Sequence, residues 1–189
     1  MDLVQLQRLG RPLTSRDVQD LPHEPEVRVE LIGGVLHVST SPTWVHQRVV
    51  VRIAIHVGAA VLRAGGEGGT DAGVVWDDDG HDNVRPDLAF LTRSRGPSEG
   101  GLRVTPEIVV EVLSPGKENE RRDRVFKREL YWRRGALEYW IADPVRRVLL
   151  RLTRGATDWQ ESSLSETDLL RTPLLPDWEG VVVAELFGP

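Results

Sequence analysis

The chain has 189 residues, of which 40% are hydrophobic and 28% charged. That is the balance of one folded domain with its own core, and it excludes fibrous and disordered classes. Cysteine is absent, so disulfide scaffolds, thiolate metal sites and a cysteine nucleophile are excluded as well. The net charge of -5 argues on its own against a binder of phosphate backbones, which needs clustered cations. The opening residues, MDLVQLQRLGRPLTSRD, show no basic segment followed by an apolar one, and no uninterrupted run approaches the roughly 18 apolar residues of a membrane span. The expectation is a cytoplasmic protein without a membrane. Of the 24 cations, 22 are arginine and only Lys117 and Lys127 are lysine, so each lysine stands out.

Thr14 to Asp17 reads T-x-x-D, a loose capping box, which predicts a short helix to about Leu21 before the proline-rich break over 22–25. Residues 1–25 are expected to form an N-terminal arm, and 26–189 the core of a single domain. Val27 to Ile32 and Val35 to Val38 flank Gly33-Gly34, a dipeptide suited to positive φ, and predict a tight hairpin. Ser41-Pro42-Thr43 opens a helix from Trp44 to Arg63, with Val45, Val49, Ile53, Val57 and Ala60 at helical spacing. The glycine-rich segment 65–73 gives way to Val74 to Trp76, an acidic tip at Asp77-Asp78-Asp79, and Val84 to Leu91, the pattern of a second hairpin. Residues 93–103 read as a loop. Glu107 to Leu113 is a nearly continuous apolar run, the signature of a strand buried on both faces. It is followed by an arginine-rich helix from Asn119 to Arg134 closed by Gly135. Leu137 to Ala142 reads as a strand, Arg146 to Thr153 with Trp159 to Ser163 as an outer hairpin, and Val181 to Leu186 as a last edge strand. The order predicts an α/β fold with a mixed central sheet.

One constellation stands out chemically. Asp87 follows Pro86, Glu111 interrupts the apolar strand 24 residues on, and Lys127 lies on the next helix. A carboxylate inside a central strand is costly unless paired or coordinated. Two carboxylates from neighbouring strands can hold a hard cation such as Mg²⁺ and leave positions for water and a phosphate oxygen. Such a metal acidifies the attacking water, and a lysine beside it supplies a compact positive charge at the reacting phosphate. Asp123, Lys127 and Tyr131, at i, i+4 and i+8, share one helix face.

Glu30-Leu31-Ile32-Gly33-Gly34-Val35-Leu36, Ser41-Pro42 with His46-Gln47, Pro86-Asp87, Glu111-Val112-Leu113-Ser114-Pro115, Asp123 with Lys127 and Tyr131, and Glu138-Tyr139-Trp140-Ile141-Ala142-Asp143-Pro144 together resemble the Uma-type family of putative restriction endonucleases, formerly a domain of unknown function. The resemblance runs from about residue 14 to the C-terminus. It implies the restriction-endonuclease-like PD-(D/E)XK fold, a mixed sheet flanked by helices, here with an added N-terminal helix and hairpin. By the same resemblance the chain is a metal-dependent endodeoxyribonuclease using Mg²⁺ or Mn²⁺. Asp87 and Glu111 are its metal ligands, Glu30 is an upstream acid of the site and Lys127 is the catalytic lysine. That superfamily places its lysine two residues after the glutamate, where this chain has Leu113; Lys127 matches a lysine moved to the next helix. His46, Gln47, Ser114 and Arg124 are candidate DNA contacts. Cutting both strands symmetrically needs two sites and therefore implies a homodimer.

Other readings stay open at this stage. Glu111 can form an ion pair with an arginine of the next helix, Lys127 can be a solvated helix lysine, His46 can hydrogen-bond in the core or at the helix start, and Tyr131 and Trp140 can be core residues. The whole chain can be a catalytically inactive nucleic-acid-binding or accessory protein with the same fold. A two-carboxylate glycosidase is formally possible but gives Lys127 no role. The Asp77 to Asp82 run fails the calcium-loop pattern, with Asp82 where glycine and Leu88 where glutamate are required. Residues 117–154 carry 12 cations and 6 acids, so the acidic total conceals a basic half and does not exclude a DNA substrate.

Overall fold

The computed structural model describes residues 6, 9–19, 21, 27–76, 80–94 and 101–188. The proline-rich break over 22–25, the acidic tip at 77–79 and residues 95–100 of the expected loop lie outside them. The chain divides into two compact units. The first contains residues 1–41, 73–85 and 98–104, and the second 42–72, 86–97 and 105–189.

In the first unit, helix α1 (Ser15–Gln19) is short. The Asp17 carboxylate accepts from the Thr14 amide and hydroxyl, both at 2.8 Å, which is the returning half of a capping box. Strands β1 (Val27–Ile32) and β2 (Val35–Thr40) form the expected hairpin. Gly33 and Gly34 have φ of 59° and 76°, the two positive values that a type I′ turn requires. The four-stranded sheet has the order β2-β1-β5-β4, where β4 is Val74–Val75 and β5 is Asn83–Val84. Leu6, Leu13 and Leu31 form its small buried cluster.

The second unit is built on a six-stranded sheet in the order β10-β9-β8-β7-β6-β3. Its strands are β3 (Glu67–Thr70), β6 (Leu88–Leu91), β7 (Ile108–Val112), β8 (Glu138–Asp143), β9 (Val148–Arg154) and β10 (Trp159–Leu164). Only β7 and β8 pair in parallel; the other pairs are antiparallel, so the sheet is mixed. Alternation along the strands sorts the side chains to two faces. Leu88, Phe90, Ile108, Val110, Val112, Trp140 and Ala142 point to one face. They pack there with Val49, Val50, Ile53, Val57 and Val61 of helix α2, Trp44–Arg63. By length and composition this 20-residue helix is apolar enough to cross a membrane, which the sequence reading did not anticipate because Arg48 and Arg52 interrupt it. Its apolar residues on the sheet side belong to the core.

The opposite face receives helix α3, a continuous helix over 117–134 with a π-helical segment at Arg122–Lys127. Gly135, at φ 88°, closes it in the left-handed conformation. Tyr131 of α3 packs on Tyr139 of β8 with ring centroids 5.0 Å apart. The C-terminal end of α3 is tied to the β9–β10 hairpin: the Arg154 guanidinium lies 4.1 Å from the Trp132 ring centroid and donates to the Trp132 carbonyl, and the Trp159 indole donates to the Arg128 carbonyl at 3.0 Å.

Three elements differ from the sequence reading. The glycine-rich stretch contains a strand, β3, because Gly68 leaves room for the Phe90 ring, 2.8 Å from where a Cβ would sit. Val84 to Leu91 is not one strand; the chain leaves β5 and enters β6 across Arg85-Pro86-Asp87, where Pro86 has no amide for a ladder. The expected last strand is the two-residue β12 (Val181–Val182), paired with β11 (Leu169–Leu170) and followed by helix α4, Val183–Phe187.

A Cβ on Gly66 would stand 2.3 Å from the Leu91 carbonyl oxygen. Gly66→Ala should therefore lower unfolding free energy by about 1–3 kcal/mol in urea titrations. Gly73→Ala, where nothing lies within 4 Å of the added carbon, should leave stability unchanged or slightly raised. Equal effects of the two would contradict the close-approach account.

Candidate functional site

Glu111 lies in β7, whose five residues are all buried. Its parity turns the side chain away from Val110 and Val112, toward the face covered by α3. Its Oε1 accepts from Lys127 Nζ at 2.9 Å and from the Tyr131 hydroxyl at 3.2 Å. Lys127 is 1% exposed and Glu111 2%, so the lysine is a buried partner of the carboxylate and not a solvated helix residue. Lys127 Nζ also stands 3.9 Å from Asp123 Oδ1, one turn back on α3. Asp123 accepts from both ends of the Arg122 guanidinium, at 2.9 and 3.2 Å. The Tyr139 hydroxyl donates to the Asp123 carbonyl at 2.9 Å. Burial pushes the Tyr139 hydroxyl well above its ordinary pKa, with Glu111 and Asp123 adding to the shift, so it remains a neutral donor.

Asp87 immediately precedes β6. The β6–β7 ladder begins one residue later, where Leu88 pairs with Val110 next to Glu111. Asp87 Oδ2 accepts from the Val112 amide at 2.8 Å and is 3.0 Å from His46 Nε2. Burial acts to raise the pKa of this carboxyl, but the hydrogen bond and charge of His46, the Val112 amide and the charge of Lys127 together hold it below the ordinary value. It is therefore ionised at neutral pH.

His46 is held in the first turn of α2, where its amide donates to the Thr43 hydroxyl at 3.3 Å. Its Nδ1 is buried and makes no hydrogen bond. Orientation of a carboxylate by an imidazole N–H and a backbone amide is the way ligand groups are commonly fixed. His46 is thus positioned to fix Asp87.

Of the sequence candidates, Asp87, Glu111, Lys127 and His46 come together in the second unit. Glu30 lies in the first unit, where its Oε1 accepts from the Arg85 amide at 2.7 Å. Gln47 follows His46 on α2 and is half-buried. Ser114 is half-buried just after β7, and Arg124 donates to Asp143 at 3.3 Å. Asp123 belongs to the charge cluster although sequence reasoning assigned it no role; its shared face with Lys127 was the available signal. Tyr131 is both a core residue and a donor to Glu111.

Among the described residues, no group of three or more His, Asp or Glu side chains is arranged to hold an ion. The site residues nonetheless include two carboxylates from neighbouring chain segments, Asp87 and Glu111. Mg²⁺ is commonly held by one or two carboxylates, with water and substrate phosphate filling the remaining positions, so the pair fits such an ion in donor type and charge.

Removing one member of a buried pair leaves the other charge uncompensated, at about 3–5 kcal/mol. Lys127→Met should lose stability on that scale in urea unfolding, and the Lys127→Met, Glu111→Leu double variant should recover most of the loss. A double variant as unstable as the sum of the two single variants would contradict a direct pairing.

None of the curated proteins compared matches the chain in sequence. The crystal structure of a putative nuclease belonging to DUF820 from Anabaena variabilis matches it with a TM-score of 0.75, covering 93% of this chain and 98% of that one at 16% identity. At that identity the likeness establishes the fold, a mixed sheet flanked by helices. A sequence profile described as putative restriction endonuclease matches residues 16–184, and the chain accordingly belongs to that family, Uma2.

Proposed function

We propose that this protein is a metal-dependent endodeoxyribonuclease that hydrolyses phosphodiester bonds of DNA, acting as a homodimer in the cytoplasm. The observation that carries the reading is the grouping of Asp87, at the entry to β6, with Glu111 of the neighbouring strand β7 and the Lys127 ammonium 2.9 Å from Glu111, in a chain of a nuclease-like family. Asp87 and Glu111 would hold Mg²⁺ or Mn²⁺, which when bound acidifies a water and offsets charge on the phosphate. The chain's own residues do the rest. His46 and the Val112 amide fix Asp87, Tyr131 and Lys127 fix Glu111, and Asp123 with Arg122 steadies the lysine. Lys127 supplies positive charge next to the carboxylates, where negative charge grows on the phosphate in the transition state. Glu30, Gln47, Ser114 and Arg124 enter the proposal on the family resemblance alone. The basic stretch 117–154 supports a polyanionic substrate, with binding that weakens as salt rises.

One observation favours a second reading. Lys127 and Asp123 are each 1% exposed, and the ammonium lies within reach of two of the protein's own carboxylates. A cation already neutralised in this way suits a nucleic-acid-binding or accessory protein without turnover.

Cleavage of supercoiled plasmid separates the two. The nuclease reading expects nicking or cutting with Mg²⁺ or Mn²⁺, none with EDTA, and at least ~100-fold less with folded Asp87→Ala or Glu111→Ala, on the scale of lost electrostatic stabilisation at a reacting group. Equal degradation by wild type and variants, or no cleavage with any divalent ion across duplex and single-stranded substrates, would overturn it. Calorimetry with Mn²⁺ adds a readout independent of turnover, with heat expected from wild type and lost in Asp87→Ala.

A further inference from the structure

Helix α2 buries one side against the sheet and leaves the other in solvent. Trp44, Val51, Ile55 and Leu62 are 81, 54, 60 and 63% exposed. Together with the half-buried Arg48 and Ala59 they mark a stripe along the outer face, which runs through a π-helical segment at Ala54–Gly58. A fully exposed tryptophan presents roughly 150–250 Å² and the aliphatics somewhat less, so these exposures amount to on the order of 500 Å². That is at the upper end for the largest apolar patch of a monomer, about 300–600 Å².

The order of residues in the stripe restricts what can cover it. In an isologous contact, residue i of one copy meets residue j of the other, and j meets i. An antiparallel pair of α2 helices centred on residue 53 sets Trp44 against Leu62 of the other copy and Val51 against Ile55, twice each, with Arg48 against the adjacent small residues Gly58 and Ala59. Each large residue meets another large one, and the single charged member meets the smallest. Facing stripes bury on the order of 1,000 Å² before neighbouring side chains add to it, which reaches the lower bound for a specific interface. The helix is 20 residues long, or about 30 Å, so the whole stripe engages at once.

We infer that the outer face of α2 is a twofold interface with a second copy of this chain. The inference deepens the homodimer reading given above by assigning it a surface, and it rests on that reading only for the dimer's use in cutting two strands.

The absence of cysteine makes the register testable. Wild type should sediment as a dimer at micromolar concentration, and Ile55→Arg, an exposed site next to the twofold axis, should raise the dimer dissociation constant at least ~100-fold with an unchanged circular dichroism spectrum. Mixing Val51→Cys chains with Ile55→Cys chains under mild oxidation should give disulfide-linked dimers in much higher yield than either variant alone. Wild type that stays monomeric at ~100 µM, a concentration at which even weak specific pairs associate, would overturn the inference. So would an Ile55→Arg dimer as tight as wild type, or equal linking in all three samples. Capture of the monomer by phospholipid vesicles would also overturn it by assigning the stripe to a lipid surface. Plasmid nicking by the same variants reports separately on the nuclease reading, because neither residue belongs to the site.

Discussion

A carboxylate placed in the middle of a strand buried on both faces must be answered by positive charge and hydrogen-bond donors, and Glu111 sets that requirement for the second unit. The unpaired charge would cost several kcal/mol, so the helix following β7 must deliver a cation to it. Lys127 and Tyr131 do this from one face of α3. Their delivery in turn requires α3 to be held in place, which the Tyr131–Tyr139 contact and the Arg154 bond to the Trp132 carbonyl accomplish. The π-helical segment at Arg122–Lys127 spans the two residues, Asp123 and Lys127, whose charges must meet. Such segments are rare and recur at functional sites.

Asp87 answers a related constraint in another way. It stands where the chain enters β6, beside Pro86, so it is not committed to the ladder and its carboxylate takes the Val112 amide and His46 instead. The two acids are thus fixed by different kinds of partner, Glu111 by a buried ammonium and a phenol, Asp87 by an imidazole and a backbone amide. Both carboxylates are buried and each is oriented by the protein's own groups, and the charge of Lys127 acts on both.

Much of this was legible in the residues. The Gly33-Gly34 turn, the T-x-x-D cap, the apolar run of β7 and the Gly135 terminus are local signals with local causes, and each appears where expected. The roles that depend on partners distant in sequence were harder to read. Nothing near Glu111 indicates that Lys127, and not an arginine, would reach it; the residues suggested a common site for the two, while the ion pair considered for Glu111 was with an arginine. The strand β3 was obscured by its glycines, which are there because Phe90 of the neighbouring strand needs the space. Val84 to Leu91 read as one strand because hydrophobic pattern does not register that Pro86 lacks a ladder donor. Asp123 was visible as a member of the lysine's face, but its burial could not be read from spacing.

The proposed chemistry requires Asp87 and Glu111 to share one divalent ion beside Lys127. The most direct measurement is an anomalous difference map from a crystal soaked in Mn²⁺. A single peak is expected within bonding distance of a carboxylate oxygen from each of Asp87 and Glu111, with Lys127 retained next to Glu111. A saturating soak that leaves no density between the two acids would contradict it, as would an ion bound elsewhere while Lys127 and Glu111 remain a closed pair.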